Sequence, residues 1–169
     1  MSFTDNDLKK MLNDCIKQVK RLGYDLYPIV DIKFTPGSRD AQAYVRRSRY
    51  TKYNPYIHKY ENVAFCIRVN GIFKDLPDSS YDDLKATVMH EVIHVINPHD
   101  GSEWVISPFM FHGDLYNDVK NRIEQTYKYK HIYDLNTEDR KRDTVTTFFE
   151  DYYRKKYPDL IFKEKNLIN

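Results

Sequence analysis

The sequence predicts an α+β fold, with a small, mainly antiparallel or mixed sheet of about three to four strands packed against helices. Three observations carry this. Apolar residues recur at helical spacing over the first 22 positions, three short β-rich segments follow before residue 70, and a second helical stretch then begins near residue 80. A length of 169 residues suits one domain with a real core, and no repeat, low-complexity tract or linker divides the chain.

Taken in order, Thr4 is the expected N-cap of a first helix. Leu8, Met11, Leu12, Cys15, Ile16, Val19 and Leu22 line its apolar stripe, and Gly23 ends it. The alternating segment Ile29–Phe34 reads as a strand closed by Pro36-Gly37. Residues 43–49 form a second strand candidate, followed by a polar, aromatic loop to about Glu61. Residues 63–69 form a third, ended by Asn70-Gly71.

Pro77 to Ser80 then signals a helix start, with Asp82 and Asp83 in the first turn, where the helix dipole favours negative charge. This helix is expected over about 80–96, with Leu84, Val88, Val92 and Val95 on a buried stripe and Asn97-Pro98 as its stop. A further helix is expected from Ser107-Pro108 to about Tyr127. A last helix over 137–156 and a short strand over 160–163 make up a C-terminal extension.

Composition narrows the class. At 41% hydrophobic and 31% charged, the chain reads as a soluble globular protein, and its net charge of +2 neither demands nor excludes a nucleic-acid partner. The N-terminal segment lacks the apolar core of a signal peptide, and no apolar run approaches the roughly 20 residues of a membrane span. A reducing cytoplasm is the expected compartment. Two cysteines, Cys15 and Cys66, cannot build a disulfide framework, and both are expected as buried thiols. Fifteen tyrosines stand out. Many lie in polar surroundings, where a ring packs and its hydroxyl stays wet; interleaved with Lys and Arg they would equally suit a groove for peptide or single-stranded nucleic acid.

The segment that carries chemistry is HEVIH, His90 to His94. Residues four apart share a helix face one turn apart, so His90 and His94 can present two imidazoles to one metal ion. Glu91, beside them but outside the ligand pair, is placed to take a proton from metal-held water. This is the arrangement of a zinc hydrolase. Two histidines leave a catalytic site one protein ligand short. His99 follows His94 after four residues and heads HDGSEW; His112 follows after seventeen and heads HGDLYNDVKNRI.

At this point the chain resembles the SprT-like metallopeptidases, which include the eukaryotic Spartan proteases. In that family a helix-borne HExxH is followed by a loop and by His-Gly, with an aromatic residue four positions and an apolar residue about eleven positions after that histidine. His112-Gly113, Tyr116 and Ile123 match this register, whereas in HDGSEW the glycine and Trp104 each lie one position too far along. The order of helix, IVDIKF strand, AQAYVRR strand and FCIRVNG strand ahead of the motif is also similar.

The resemblance covers roughly residues 5–130 of a single domain spanning 1–169, leaving 131–169 as a divergent extension. It lacks the zinc ribbon that relatives often carry. It implies a zincin-like fold, one Zn2+ held by His90, His94 and His112, Glu91 as general base and acid, and a polypeptide substrate. It also implies a link to DNA through cleavage of proteins crosslinked to it, which directs attention to Arg46, Arg47 and Arg49 as candidate DNA contacts, with Lys52 beside them.

Other residues have lesser claims. Tyr116 is a candidate oxyanion stabiliser. Asp100, Glu103 and Asp114 are second-choice ligands, and Glu103 or Asp114 could instead orient a ligating imidazole. His58, His131 and the basic run Arg140 to Arg142 read as surface positions. A substrate peptide is expected to add to an edge strand, taken as the 63–69 segment. Two alternatives stay open: a non-catalytic binding module stabilised by a closed zinc site, and another small zincin-type regulatory protease using His99 as third ligand.

Overall fold

The computed structural model describes residues 3–36, 43–97 and 114–129 of the chain. Helix α1 (Asp5–Arg21) starts where expected. The Thr4 hydroxyl accepts from the Asp7 amide at 3.2 Å while the Asp7 carboxylate accepts from the Thr4 amide at 2.8 Å, a reciprocal box that satisfies two amide donors at the helix start. Leu8, Met11, Leu12, Cys15 and Val19 are all buried, as the stripe predicts. Gly23, just past the helix, takes the left-handed backbone (φ +94°) that favours glycine.

Among the described residues seven strands follow: β1 (Asp25–Leu26), β2 (Ile29–Phe34), β3 (Ala43–Arg47), β4 (Lys52–Asn54), β5 (Lys59–Glu61), β6 (Phe65–Val69) and, beyond helix α2 (Tyr81–Ile93), β7 (Ile96–Asn97). Helix α3 (Asp114–Tyr127) comes last among the described residues. The main sheet has three strands in the order β2-β6-β3, with β2 parallel and β3 antiparallel to β6. The α+β class therefore holds, with a mixed sheet.

The 63–69 segment was expected at a sheet edge, and this needs correction: β6 is the central strand, bonded on both sides. Its near-continuous apolar run, with Phe65, Cys66, Ile67 and Val69 all buried, is what a doubly covered strand requires. Ile32, Ile67 and Val45 lie side by side in register, and Ile32 and Ile67 join the core beneath α1 and α2. On the opposite face Arg68 pairs with Asp31. That ion pair holds the Asp31 carboxyl below the usual carboxylate range, chiefly because the guanidinium donates to it.

The region expected as a loop before Glu61 is instead a hairpin. β4 and β5 pair antiparallel, with Tyr53 directly opposite Tyr60. The Asn54 side-chain oxygen accepts from the Tyr56 amide at 2.9 Å, and His58 takes a left-handed φ of 54° that reverses the chain.

Helix α2 differs from the expected amphipathic helix over 80–96 in two ways. From Ala86 to Ile93 every residue is buried, so it runs through the core, between α1, β3 and α3, and presents no polar face there. It also ends at Ile93. The Val95 amide turns back to the Val92 carbonyl, the Val95 carbonyl accepts from Tyr27, and Ile96–Asn97 pair with Leu26 and Asp25. Pairing with β1 takes up backbone groups that another helical turn would have used. Helix α3 buries Tyr116, Val119 and Ile123, one face at helical spacing, and the Tyr127 and Tyr129 hydroxyls donate to Gln18 on α1.

No described helix is long and apolar enough to cross a membrane. The expected helix over 137–156, the strand over 160–163 and the helix start expected at Ser107-Pro108 lie outside the described residues.

Candidate metal centre

The motif occupies the last turn of α2, with His94 as the residue that caps it. Helical geometry stacks His90 beneath His94, and the two distal nitrogens meet: Nε2 of His90 lies 3.3 Å from Nε2 of His94, with the rings edge to face. A nitrogen–nitrogen hydrogen bond of that length is at the long, weak end of the range. The same separation has a second meaning. A tetrahedral zinc ion with nitrogen ligands at about 2.0–2.1 Å holds any two of them about 3.3–3.4 Å apart. The pair is thus preset at the spacing of two vertices of such a site, and its chemistry, two borderline imidazoles, suits zinc.

Glu91 extends to the same locality. One carboxylate oxygen lies 4.0 Å from Nε2 of His90, too far to hydrogen-bond and near enough to reach a small molecule held at the paired nitrogens. All three groups are more than nine-tenths buried, at 6% exposure for His90, 5% for Glu91 and 8% for His94. Ionisable groups gathered in one buried locality mark a candidate functional site.

Tyr116 completes the described site from α3. Its ring packs 4.6 Å from that of His94 and 5.3 Å from that of His90, centroid to centroid. Its hydroxyl donates at 2.7 Å to the main-chain carbonyl of His90. That carbonyl sits in the last helical turn, where carbonyls run short of intrahelical donors. In this geometry the hydroxyl ties α3 to the turn that carries both histidines, and the ring walls one side of theirs. Spacing alone had marked Tyr116 as an aromatic near the site. Which atom its hydroxyl meets is set by how α3 crosses α2.

The remaining sequence candidates divide. His99, His112, Asp100, Glu103 and His131 lie outside the described residues. Asp114 is exposed at the start of α3, and His58 is exposed in the hairpin turn. Among the described residues no cluster of three or more His, Cys, Asp or Glu side chains assembles as a full ligand set. Arg46 and Arg47 lie on β3, Arg49 just after it, and all three are exposed.

Cys15 and Cys66 are buried free thiols, as expected. Burial pushes the Cys15 thiol up to about 12, which makes it inert near neutrality. The comparisons with protein-family models, with curated proteins and with solved structures find no match for this chain.

Proposed function

We propose that this chain is a zinc-dependent endopeptidase of the SprT-like kind. The observation that carries the reading is the 3.3 Å separation of the His90 and His94 Nε2 atoms, with the Glu91 carboxylate 4.0 Å from one of them. His90 and His94 would hold one Zn2+ together with a third protein ligand, His112 by the His-Gly register or His99 by proximity in sequence. When bound, the ion lowers the pKa of its water toward neutrality and polarises the scissile carbonyl.

The chain's own residues then have separate tasks. Glu91 takes the proton from the attacking water at a carboxylate oxygen and passes it to the departing amine nitrogen, acting first as base and then as acid. Tyr116 keeps the histidine turn in place through the His90 carbonyl. The substrate is a polypeptide, including one attached to DNA. With β6 enclosed, strand addition by an extended substrate falls to the outer edge of β2 or β3. Two buried free cysteines suit a reducing, cytoplasmic setting.

The test is Glu91→Gln, nearly isosteric in a site only 5% exposed. The variant is expected to retain one zinc per chain and to lose proteolysis of an unfolded protein substrate by about 100-fold or more, the usual weight of a general base. Full proteolysis by a zinc-loaded variant would overturn the mechanism. Anomalous scattering that showed four protein ligands around the ion would instead favour a closed, structural site.

A further inference from the structure

The β4–β5 hairpin is a surface for which the metal centre has no use. Residues 43–62 hold Arg46, Arg47, Arg49, Lys52 and Lys59 against Glu61 alone, a net +4 in a chain whose total is +2. Positive charge is therefore concentrated here, and the rest of the molecule is slightly acidic. The two strands pair only with each other among the described residues, and a two-stranded ribbon on its own is marginally stable in water. Its apolar groups are nevertheless in the open. Tyr50 and Ile57 are each 53% exposed, Tyr53 is 49% exposed, and Tyr56 at the tip is 92% exposed. Clustered exposure of this kind, rimmed by charge, marks a place where a partner docks.

The way the rings are used indicates what kind of partner. The Arg47 guanidinium stacks 4.3 Å from the centre of the Tyr60 ring, and Tyr53 meets Tyr60 edge to face at 5.1 Å. Arg49 stacks on Tyr50 at 5.0 Å and donates to its hydroxyl at 2.9 Å. Tyr50 and Tyr60 thus each give a ring face to an arginine, a face that an unstacked base would otherwise need. A guanidinium that lies flat on a ring still offers the N–H groups along its edge, and that planar fork matches a carboxylate. At the tip, Tyr56 stands beside the aliphatic Ile57, a pairing suited to an apolar side chain. Tyrosine and arginine are also the residue types enriched where proteins meet.

We propose that the β4–β5 hairpin docks an acidic segment of a polypeptide, with its carboxylates on Arg47 and Arg49 and an apolar residue against Tyr56 and Ile57. The charge selects the partner: a net +4 patch on an otherwise slightly acidic molecule attracts an acidic chain and repels a basic one. An anionic bilayer fits poorly, because only Tyr56 and Ile57 form an apolar tip. Docking here needs no metal, so it is measured in a chelator and stands or falls without reference to proteolysis.

The probe is a fluorescein-labelled peptide of Asp and Glu with interspersed Leu, about 12 residues long and so ~40 Å when extended, followed by fluorescence anisotropy. Saturable binding is expected at about 50 mM salt, weakening as added salt screens the charges. The counterpart peptide with Asn and Gln in place of Asp and Glu is expected not to bind. Tyr56→Ala is expected to weaken binding by about 5- to 30-fold, as for an interface anchor. It leaves the turn intact, because there the Tyr56 amide and not its ring meets Asn54. The double variant Arg47→Gln, Arg49→Gln is expected to weaken binding by about 2- to 25-fold and to flatten its salt dependence. Unchanged thermal unfolding of these exposed-site variants shows that the fold is intact. The proposal is overturned by no binding at low salt, by equal binding of the neutral peptide, by parent-like binding in either variant, or by tighter binding to an oligothymidylate or to phosphatidylserine vesicles than to the acidic peptide.

Discussion

Replacing Tyr116 by Phe tests the link between α3 and the histidine turn with a single atom. The ring is 1% exposed and would be retained, so no cavity opens and the aromatic contacts to His90 and His94 survive. What is lost is the 2.7 Å bond to the His90 carbonyl. A neutral hydrogen bond contributes a net ~0.5–1.5 kcal/mol, and a buried carbonyl deprived of its donor adds its own desolvation term, so about 1–2 kcal/mol of destabilisation is expected. For a chain of this size that corresponds to a drop in Tm of about 2–8 °C, measured by circular dichroism in a chelator so that metal binding does not contribute.

The local effect has a separate readout. Loosening the turn should relax the 3.3 Å nitrogen spacing and reduce zinc affinity, by about 10-fold or more as for other groups that orient metal ligands, in competition with a chromogenic chelator. Tyr116→Ala would remove the ring as well and destabilise by about 3–5 kcal/mol. If Tyr116→Phe melts within 1 °C of the parent and binds zinc equally well (both about the noise of such assays), the hydroxyl does not position the site and the reasoning fails.

The choice of third ligand is settled by zinc content in His112→Ala and His99→Ala. Loss of metal is expected from the first and retention by the second; the opposite pattern would assign the nearer histidine. The Asp31–Arg68 pair predicts an acid-side effect. Because Asp31 ionises more readily in the folded protein, its stabilisation is complete above the unfolded value of about 3.9 and is lost as pH falls through the lower folded value. With Asp31 about a third exposed, Asp31→Asn should destabilise by only about 0.5–1 kcal/mol at neutral pH, and the gap to the parent in urea unfolding should close on acidification. A gap that widened at low pH would contradict the assignment.

Local patterns were legible where the physics is local. Thr4, the stripe from Leu8 to Val19 and Gly23 define α1 because capping, burial and left-handed backbone act within a few residues. The spacing of His90 and His94 follows from the helical repeat alone, so the candidate ligand pair needed no tertiary information. Ile29–Phe34 reads as a strand from its alternation and is one.

What the tertiary structure decided depends on partners distant in sequence. β6 is central because β2 and β3 both bond to it, and its apolar run fits a strand covered on both sides equally with a buried helix or an edge against a core. The hairpin at 52–61 is not legible in the sequence because its tyrosines pack on each other and on Arg47, with no buried face to impose an alternation. Helix α2 stops at Ile93 although its apolar pattern runs on, because Ile96–Asn97 gain hydrogen bonds from Leu26 and Asp25, some 70 residues earlier. The sequence determined which side chains form the candidate centre. Only the crossing of α3 over α2, which sets a phenol hydroxyl on the His90 carbonyl, decided how two of them are held.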